Sequence, residues 1–507
     1  MTVPHTTVLV AGGGPAGSLA AAILAREGVD VTLVEKARHP RYHIGESLLT
    51  SVMPILEFVG VKERIELHGF VKKYGGFFRV KQGERAGHVD FTKLSRYKHS
   101  YQVLRSEFDE LLFDHARQSG AKVQQDTAVG DIEFLARRPV TARLTSADGS
   151  VQPIAFDYMV DATGQTGLLS AHYFQNRKPE EAFANVAVGG YFRGAHPYRD
   201  HDGVEQPGAF SMEALTDGSG WTWAIPLHDG TLSVGVVLHR DIYRERHKRL
   251  GSNELVFERT LETSPDVTAL IQDATREGES RVWRDYSYFA EHYAGPGYRL
   301  AGDAAGFIDP LFSTGVHMAC LGALSSAATI CSEIRGELDS EELETFHHRY
   351  LSLAYTRLVV TVAGFYQQLH DQDRIVLPGV TSDNFQRAFD LIQPVVSGNL
   401  DLNADEVTED ALRRAMHYTK DMMLELHDLE TNNKIAKLLV LDALDSESGQ
   451  ASSDPIDDLY VRMRRGDLGL SRISEEESSE VAARRRSIRD MVARSTAPSR
   501  RSEASAR

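Results

Sequence analysis

At 507 residues, 42% of them hydrophobic, the chain is long enough for two or three domains around a large core. A net charge of −16 argues against nucleic acid as a partner. No run of 18 apolar residues offers a membrane span, and a strand beginning by Thr7 leaves no room for a signal peptide, so a cytoplasmic location is expected.

The first predicted element is a strand over Thr7-Val8-Leu9-Val10-Ala11, an apolar run of the kind buried in parallel sheets. Gly12-Gly13-Gly14-Pro15-Ala16-Gly17 follows and matches G-x-G-x-x-G. Ser18 to Gly28 reads as a helix, and Val29 to Glu35 as a second strand ending in an acid. Glycines in this setting let the backbone approach a pyrophosphate, the helix N-terminus offers amide donors, and Glu35 can accept from a ribose hydroxyl. The sequence therefore predicts a dinucleotide site. Glu35 argues against a ribose 2′-phosphate, hence against NADP.

His39-Pro40-Arg41-Tyr42-His43-Ile44-Gly45-Glu46-Ser47 reads as a loop. In Gly69-Phe70-Val71-Lys72-Lys73-Tyr74-Gly75 two lysines are adjacent, so on a strand they point to opposite faces and Lys72 is expected in solvent. Arg105 stands ahead of a helix, and Asp161-Ala162-Thr163-Gly164 ends a strand. Residues 166–290 alternate like an antiparallel sheet. Within them Trp221-Thr222-Trp223-Ala224-Ile225-Pro226 spells W-x-W-x-I-P. Its two tryptophans share one face and form an apolar wall, which by itself also fits ordinary core packing. Another strand ends at Gly302-Asp303. Asp309 to His317 is a loop before a helix that carries Cys320 and Cys331. Ser313 or Thr314 is the expected N-cap, and a helix start also suits an anion. His317 reads as a packing or capping residue. The two cysteines would lie about 16 Å apart along the helix, too far to pair. Residues 340–445 are helical in pattern, 444–458 form a polar acidic loop, and the segment from Ser474 lacks aromatics and is expected to be disordered. Residues 484–507 hold eight arginines, one aspartate and one glutamate. Arg484-Arg485-Arg486 could attract an acidic partner, although a solvated tail is the favoured reading.

These motifs together resemble the flavin-dependent halogenases, over about residues 5–365. In that family W-x-W-x-I-P separates halogenases from flavin monooxygenases. The resemblance implies an α/β fold of the aromatic hydroxylase flavoprotein superfamily. A Rossmann-like FAD-binding domain would occupy 1–165 and 296–335, an antiparallel β-sheet substrate region 166–295, a helical C-terminal region 336–473, and the tail 474–507. It implies FAD contacts from Gly12, Gly14, Ala16, Gly17, Glu35, Arg41, Gly45, Glu46, Ser47, Arg105, Asp161, Gly302 and Asp303.

The G-F-x-x-K-x-G stretch implies that Lys73 is the catalytic lysine. Reduced FAD, oxygen and chloride give hypochlorous acid in this family, and a lysine either polarises it or becomes a chloramine. Either role needs a desolvated amine of lowered pKa. Thr314 and Gly315 match positions whose amides hold chloride or bromide. Trp221, Trp223, Ile225 and Pro226 would crowd the route between flavin and substrate. Tryptophan-type members carry a glutamate where this chain has Phe312, and its loss favours a small phenolic substrate. The local likeness, including Gly45-Glu46-Ser47, is to halogenases of phenolic polyketides, notably fungal ones. A separate flavin reductase would supply FADH2, because no second nucleotide fingerprint is found. Two alternatives stand beside this reading. One is an FAD-dependent hydroxylase or epoxidase, and the other a halogenase acting on a carrier-protein-tethered substrate, which the negative body speaks against.

Overall fold

The computed structural model describes residues 3–93, 96–180, 183–284, 287–370, 372, 386–402, 414–415, 418, 456 and 458–474. Strand β1 (His5–Ala11) leads through the glycine turn into helix α1 (Pro15–Arg26) and on to strand β2 (Val31–Val34). Proline opens α1 and the left-handed Gly28 lies just past its end, the usual start and stop signals. Helix α2 (Lys62–His68) precedes four short strands, β3 (Val71–Lys73), β4 (Gly75–Arg79), β5 (Gly87–Asp90) and β6 (Ser100–Gln102). Helix α3 (Arg105–Gln118), strand β7 (Lys122–Gln124) and the long strand β8 (Val151–Asp161) follow.

Five strands come next: β9 (Asn185–Arg193), β10 (Phe210–Ala214), β11 (Gly220–Pro226), β12 (Thr231–His239) and β13 (Thr275–Arg284). After β14 (Tyr298–Leu300) come helices α4 (Gly315–Arg335), α5 (Ser340–His370), α6 (Gln386–Val396) and α7 (Asn399–Leu402). A hairpin of β15 (Leu459–Arg462) and β16 (Gly469–Arg472) ends the described chain.

The nucleotide sheet has eight strands; its core runs β14–β8–β1–β2–β7, all parallel, and its remaining three strands pair antiparallel. The order reverses at β1, so a crevice opens beyond the carboxyl ends of β1 and β8. A second sheet runs β13–β9–β12–β11–β10–β4–β5. It corrects the expected purely antiparallel sheet of 166–295 in two ways. Strands β4 and β5 come from the N-terminal segment, and β4 pairs with β10 in parallel. A parallel neighbour requires a long crossover, here supplied by the intervening nucleotide domain. Both faces of this sheet are covered. Trp221, Trp223 and Val237 belong to the main core, while Val234, Val236 and Leu238 join a smaller core with Tyr243, Phe257 and Leu261. That explains why β12, expected to alternate, is buried along nearly its whole length.

By length and apolarity α4 could cross a membrane, contrary to expectation, but 94% of its most apolar window is buried inside the molecule. It packs against α1 and α5. Cys320 and Cys331 sit on it as buried free thiols, both pushed up to about 12 by burial. The β15–β16 hairpin departs from the expected helical C-terminal region. Its strands have four residues each, too few for a clear alternation, and it anchors by burying Leu459, Leu468 and Leu470. The tail at 475–507, with Arg484–Arg486, and nearly all of the acidic loop at 444–458 lie outside the described residues.

Candidate active site

The crevice is a cavity of about 580 Å³. Gly12, Gly14, Ala16, Glu35, Arg41, Gly45, Glu46, Ser47, Arg105, Gly302, Asp303 and Gly315 line it, as do Trp221, Trp223, Ile225 and Phe210. Gly17, Lys73, Asp161, Pro226 and Thr314 are not part of the lining.

The three fingerprint glycines differ. A Cβ on Gly12 would lie 2.2 Å from the Ala162 carbonyl oxygen, and one on Gly17 would lie 1.8 Å from that of Gly12. Both hold backbone against backbone. A Cβ on Gly14 would meet only an Arg41 guanidinium nitrogen, at 3.5 Å. Gly14 is therefore the position that leaves room over the helix start.

Four charged side chains brace this loop. Glu35 accepts from the amides of Gly13 at 2.6 Å and Ala37 at 2.9 Å. Arg41 lies between Glu35 (3.7 Å) and Asp109 (3.3 Å). Arg105 clasps Asp109 through Nε (2.8 Å) and Nη2 (3.1 Å), and its Nη1 donates to the carbonyls of Ile44 and Gly45. Arg105 thus spends its donors on the loop that presents Gly45-Glu46-Ser47. Asp109, fully buried, was not singled out in the sequence, although its spacing from Arg105 is the i, i+4 helical one. Asp161 departs from its expected place. One carboxylate oxygen accepts from the Thr163 amide and hydroxyl, the other from the Leu169 amide, so it shapes the turn behind the wall while Ala162, Thr163 and Gly164 reach the cavity. Glu46 is buried, and burial raises its pKa. It accepts from Tyr191 at 2.6 Å, and its second oxygen has no hydrogen-bond partner.

The two lysines separate as their alternation predicts: Lys72 is exposed and Lys73 is 3% exposed. Lys73 Nζ donates to Ser47 Oγ at 2.8 Å and lies 5.2 Å and 5.5 Å from the ring centres of Phe91 and Phe210. Ser47 and Phe210 line the cavity, so Lys73 stands immediately behind that wall. Burial lowers its pKa to about 7.

At the start of α4, Asp309 caps the turn Pro310–Phe312 through the Leu311 amide, and Ser313 is left-handed. Thr314 occupies the N-cap position but makes no side-chain cap bond, and its buried hydroxyl has no partner. Gly315 faces the cavity. A free helix start with an unengaged hydroxyl is a fitting seat for a small anion. His317 bonds Ser51 Oγ at 2.9 Å and Asp401 at 2.8 Å, and Asp401 also pairs with Arg357. Burial pushes the Asp401 carboxyl up, but Arg357 and His317 prevail and hold it below the usual range. The series looks like a hydrolytic triad, yet all its members are buried, so it serves to fix α7 against α4.

A family profile described as an FAD binding domain matches residues 5–359. A flavin-dependent halogenase of Armillaria mellea, armH4, is 42% identical over 83% of this chain and 82% of its own. The sulochrin halogenase gedL of Aspergillus terreus is 38% identical over 93% of this chain and 94% of its own. The chain belongs to the flavin-dependent halogenases. Among solved structures, the myxobacterial chondrochloren halogenase CndH aligns with a TM-score of 0.67 at 28% identity, over 85% of this chain and 99% of that one. The halogenase CmlS aligns with a TM-score of 0.68 at 28% identity, over 86% and 76%.

This halogenase uses FAD, and its residues fit the group: an open cradle at Gly14, the α1 amides behind it, and acids Glu35 and Asp303 that can accept from hydroxyls. The tryptophan motif is tied to the α4 loop by a network the sequence did not reveal. Trp221 Nε1 donates to the Tyr366 hydroxyl (2.7 Å), which donates to Asp309 (2.9 Å), and Asn185 donates to both. Burial raises the Asp309 pKa to about 6, against these bonds. Tyr366→Phe should cost about 1–3 kcal/mol, because it strands the Trp221 N–H and one Asp309 lone pair. Chemical denaturation at pH 7.5, where Asp309 is charged, would show it. A neutral substitution would mean that the network does not couple these segments.

Proposed function

We propose that this halogenase chlorinates or brominates an electron-rich phenolic ring of a secondary metabolite, with Lys73 handling the hypohalous acid. The observation that carries this reading is Lys73 itself. It is buried among aromatic rings, and among the described residues its ammonium has one hydrogen bond, to Ser47, and no carboxylate partner. A cation removed from water without a counter-ion destabilises the fold, so its presence calls for a chemical reason.

Bound FADH2, with oxygen and halide, supplies hypohalous acid. The chain's own residues then act as follows. The amides of Thr314 and Gly315 hold the halide at the α4 start, beside the unengaged Thr314 hydroxyl. With a pKa near 7, Lys73 can offer an ammonium N–H to the hypohalous oxygen or a free amine to the halogen. Ser47 orients Nζ towards the cavity wall. Trp221 and Trp223 also line the cavity, and their bulk limits how near a substrate can come to the flavin.

Phe312 supports a phenol. It packs edge-on against Phe365 at 5.0 Å and beside Phe78 at 5.5 Å, buried and outside the cavity lining, so this chain has no acid at the position that is glutamate in tryptophan-type members. The substrate must then bring its own activation, as a phenol oxygen does. FADH2 would come from a separate reductase. Mass spectrometry of a phenol panel with chemically reduced FAD, oxygen and bromide tests the whole reading. A product with the two-isotope pattern of bromine supports it; a gain of oxygen alone would make the protein a hydroxylase.

The halide seat has its own test. Gly315→Pro removes one amide donor and should raise the chloride concentration needed for half-maximal turnover. Gly315→Ala keeps the donor while placing a Cβ 3.2 Å from the Phe307 ring. Equal chloride dependence in the proline and alanine variants would move the halide elsewhere.

A further inference from the structure

The geometry points to a divalent transition-metal site, suited to Zn²⁺, formed by His68, Glu107 and His228. His68 Nε2 lies 2.6 Å from Glu107 Oε2, and His228 Nε2 lies 3.0 Å from the same oxygen. All three donor atoms fall within 4.8 Å of one another, the one such group of three among the described residues. Two imidazoles and one carboxylate are a donor set of zinc sites that keep a fourth position for water.

The spacing is close to what the ion needs. Metal–ligand bonds of about 2.0–2.2 Å in a tetrahedron place donors roughly 3.3–3.5 Å apart. The nitrogens therefore retreat from the carboxylate by less than about 1 Å to admit the ion. The rings are already oriented. His68 stacks on Phe70 at 4.2 Å, and His228 meets the same ring edge-on at 5.1 Å. His228 Nδ1 is enclosed with no partner, which leaves Nε2 as the outlet of that ring. The side chains of His68, Glu107 and His228 are 31%, 38% and 20% exposed, so an ion and its water can reach them. Without metal, both Nε2 atoms lie against Glu107 Oε2. With metal, each Nε2 lone pair turns to the ion and the neutral ring carries its proton on Nδ1.

The three ligands come from separate segments that border the active site. His68 closes α2 ahead of the Lys73 strand, Glu107 lies in the first turn of α3 beside Arg105, and His228 follows the W-x-W-x-I-P strand. A bound ion would staple these segments together from outside the cavity. It would act on the bracing of the site and not on the reacting atoms, and it is independent of which ring the enzyme halogenates.

The test uses the full-length, FAD-loaded protein, stripped with chelator and titrated calorimetrically with ZnCl₂. One Zn²⁺ per chain is expected, with a rise in Tm on binding. His68→Gln and His228→Gln should each weaken binding by at least about tenfold, and the double variant should lose the Tm rise. Co²⁺ should give the intense visible absorption of a four-coordinate site in the parent protein only. The two substitutions are at partly exposed positions outside the cavity, so FAD binding in the variants reports that they fold. Equal Zn²⁺ affinity in the parent and double variant would assign the binding to other histidines and overturn the proposal. So would the absence of any site stronger in the parent than in the variants.

Discussion

Lys73→Met should abolish halogenation and at the same time stabilise the folded protein at neutral pH. Both effects have one cause. Burial takes the Lys73 pKa from 10.5 to about 7, and each tenfold loss of proton affinity corresponds to about 1.4 kcal/mol. Because the folded pKa is the lower one, the unfolded chain binds more protons between pH 7 and 10.5, and stability rises with pH across that window. At pH 7 the penalty is at most about 4 kcal/mol, and it vanishes above the unfolded pKa. Methionine keeps the length and removes the charge. It also loses the Ser47 hydrogen bond and the contacts with Phe91 and Phe210, which offset part of the gain. A net stabilisation of about 1–3 kcal/mol at pH 7, shrinking by pH 9.5, is expected in urea denaturation. Exposed Lys72 serves as the control: Lys72→Ala retains activity and shows no such pH dependence. An inactive Lys72→Ala beside an active Lys73→Met would shift the catalytic register by one residue.

That register was legible because strand alternation is local. The glycine turn, the helix after it and Glu35 were legible for the same reason, since their spacing is set by one βαβ unit. What stayed hidden depends on partners far along the chain. Arg105 lines the cavity as expected of a cofactor contact, but that it also holds Asp109, Ile44 and Gly45 is visible only in the folded loop. Asp161 looked similar and instead holds its own turn through Thr163 and Leu169. The bond between Trp221 and Tyr366 spans 145 residues, and no periodicity records it. An excursion from the nucleotide domain at about 70–103 was legible, but β4 and β5 within it are too short to show that they join the second sheet. Their recruitment follows from burying Phe77 and Phe78, which belongs to packing and leaves no pattern in the flanking residues.

The fingerprint glycines should separate cofactor affinity from folding. Gly14→Val is expected to fold and to bind FAD at least about tenfold more weakly, a loss of about 1.4 kcal/mol or more. Its Cβ meets only Arg41 Nη2, at 3.5 Å, so the extra carbons intrude on open space over the first α1 amides, where the pyrophosphate needs close approach. Gly17→Val should behave in the opposite order. Its Cβ would sit 1.8 Å from the Gly12 carbonyl oxygen, and no side-chain motion relieves a clash with backbone. Helix α1 would have to lift away from β1, at a cost of about 3 kcal/mol or more. Gly12 cannot yield either, because it is left-handed and itself pressed against Ala162. Flavin titration and thermal melts of the apo-proteins measure the two quantities independently. A Gly14→Val protein with parental FAD affinity would remove the fingerprint from the cofactor site. A Gly17→Val protein with parental Tm would show that α1 does not pack on the turn as closely as described.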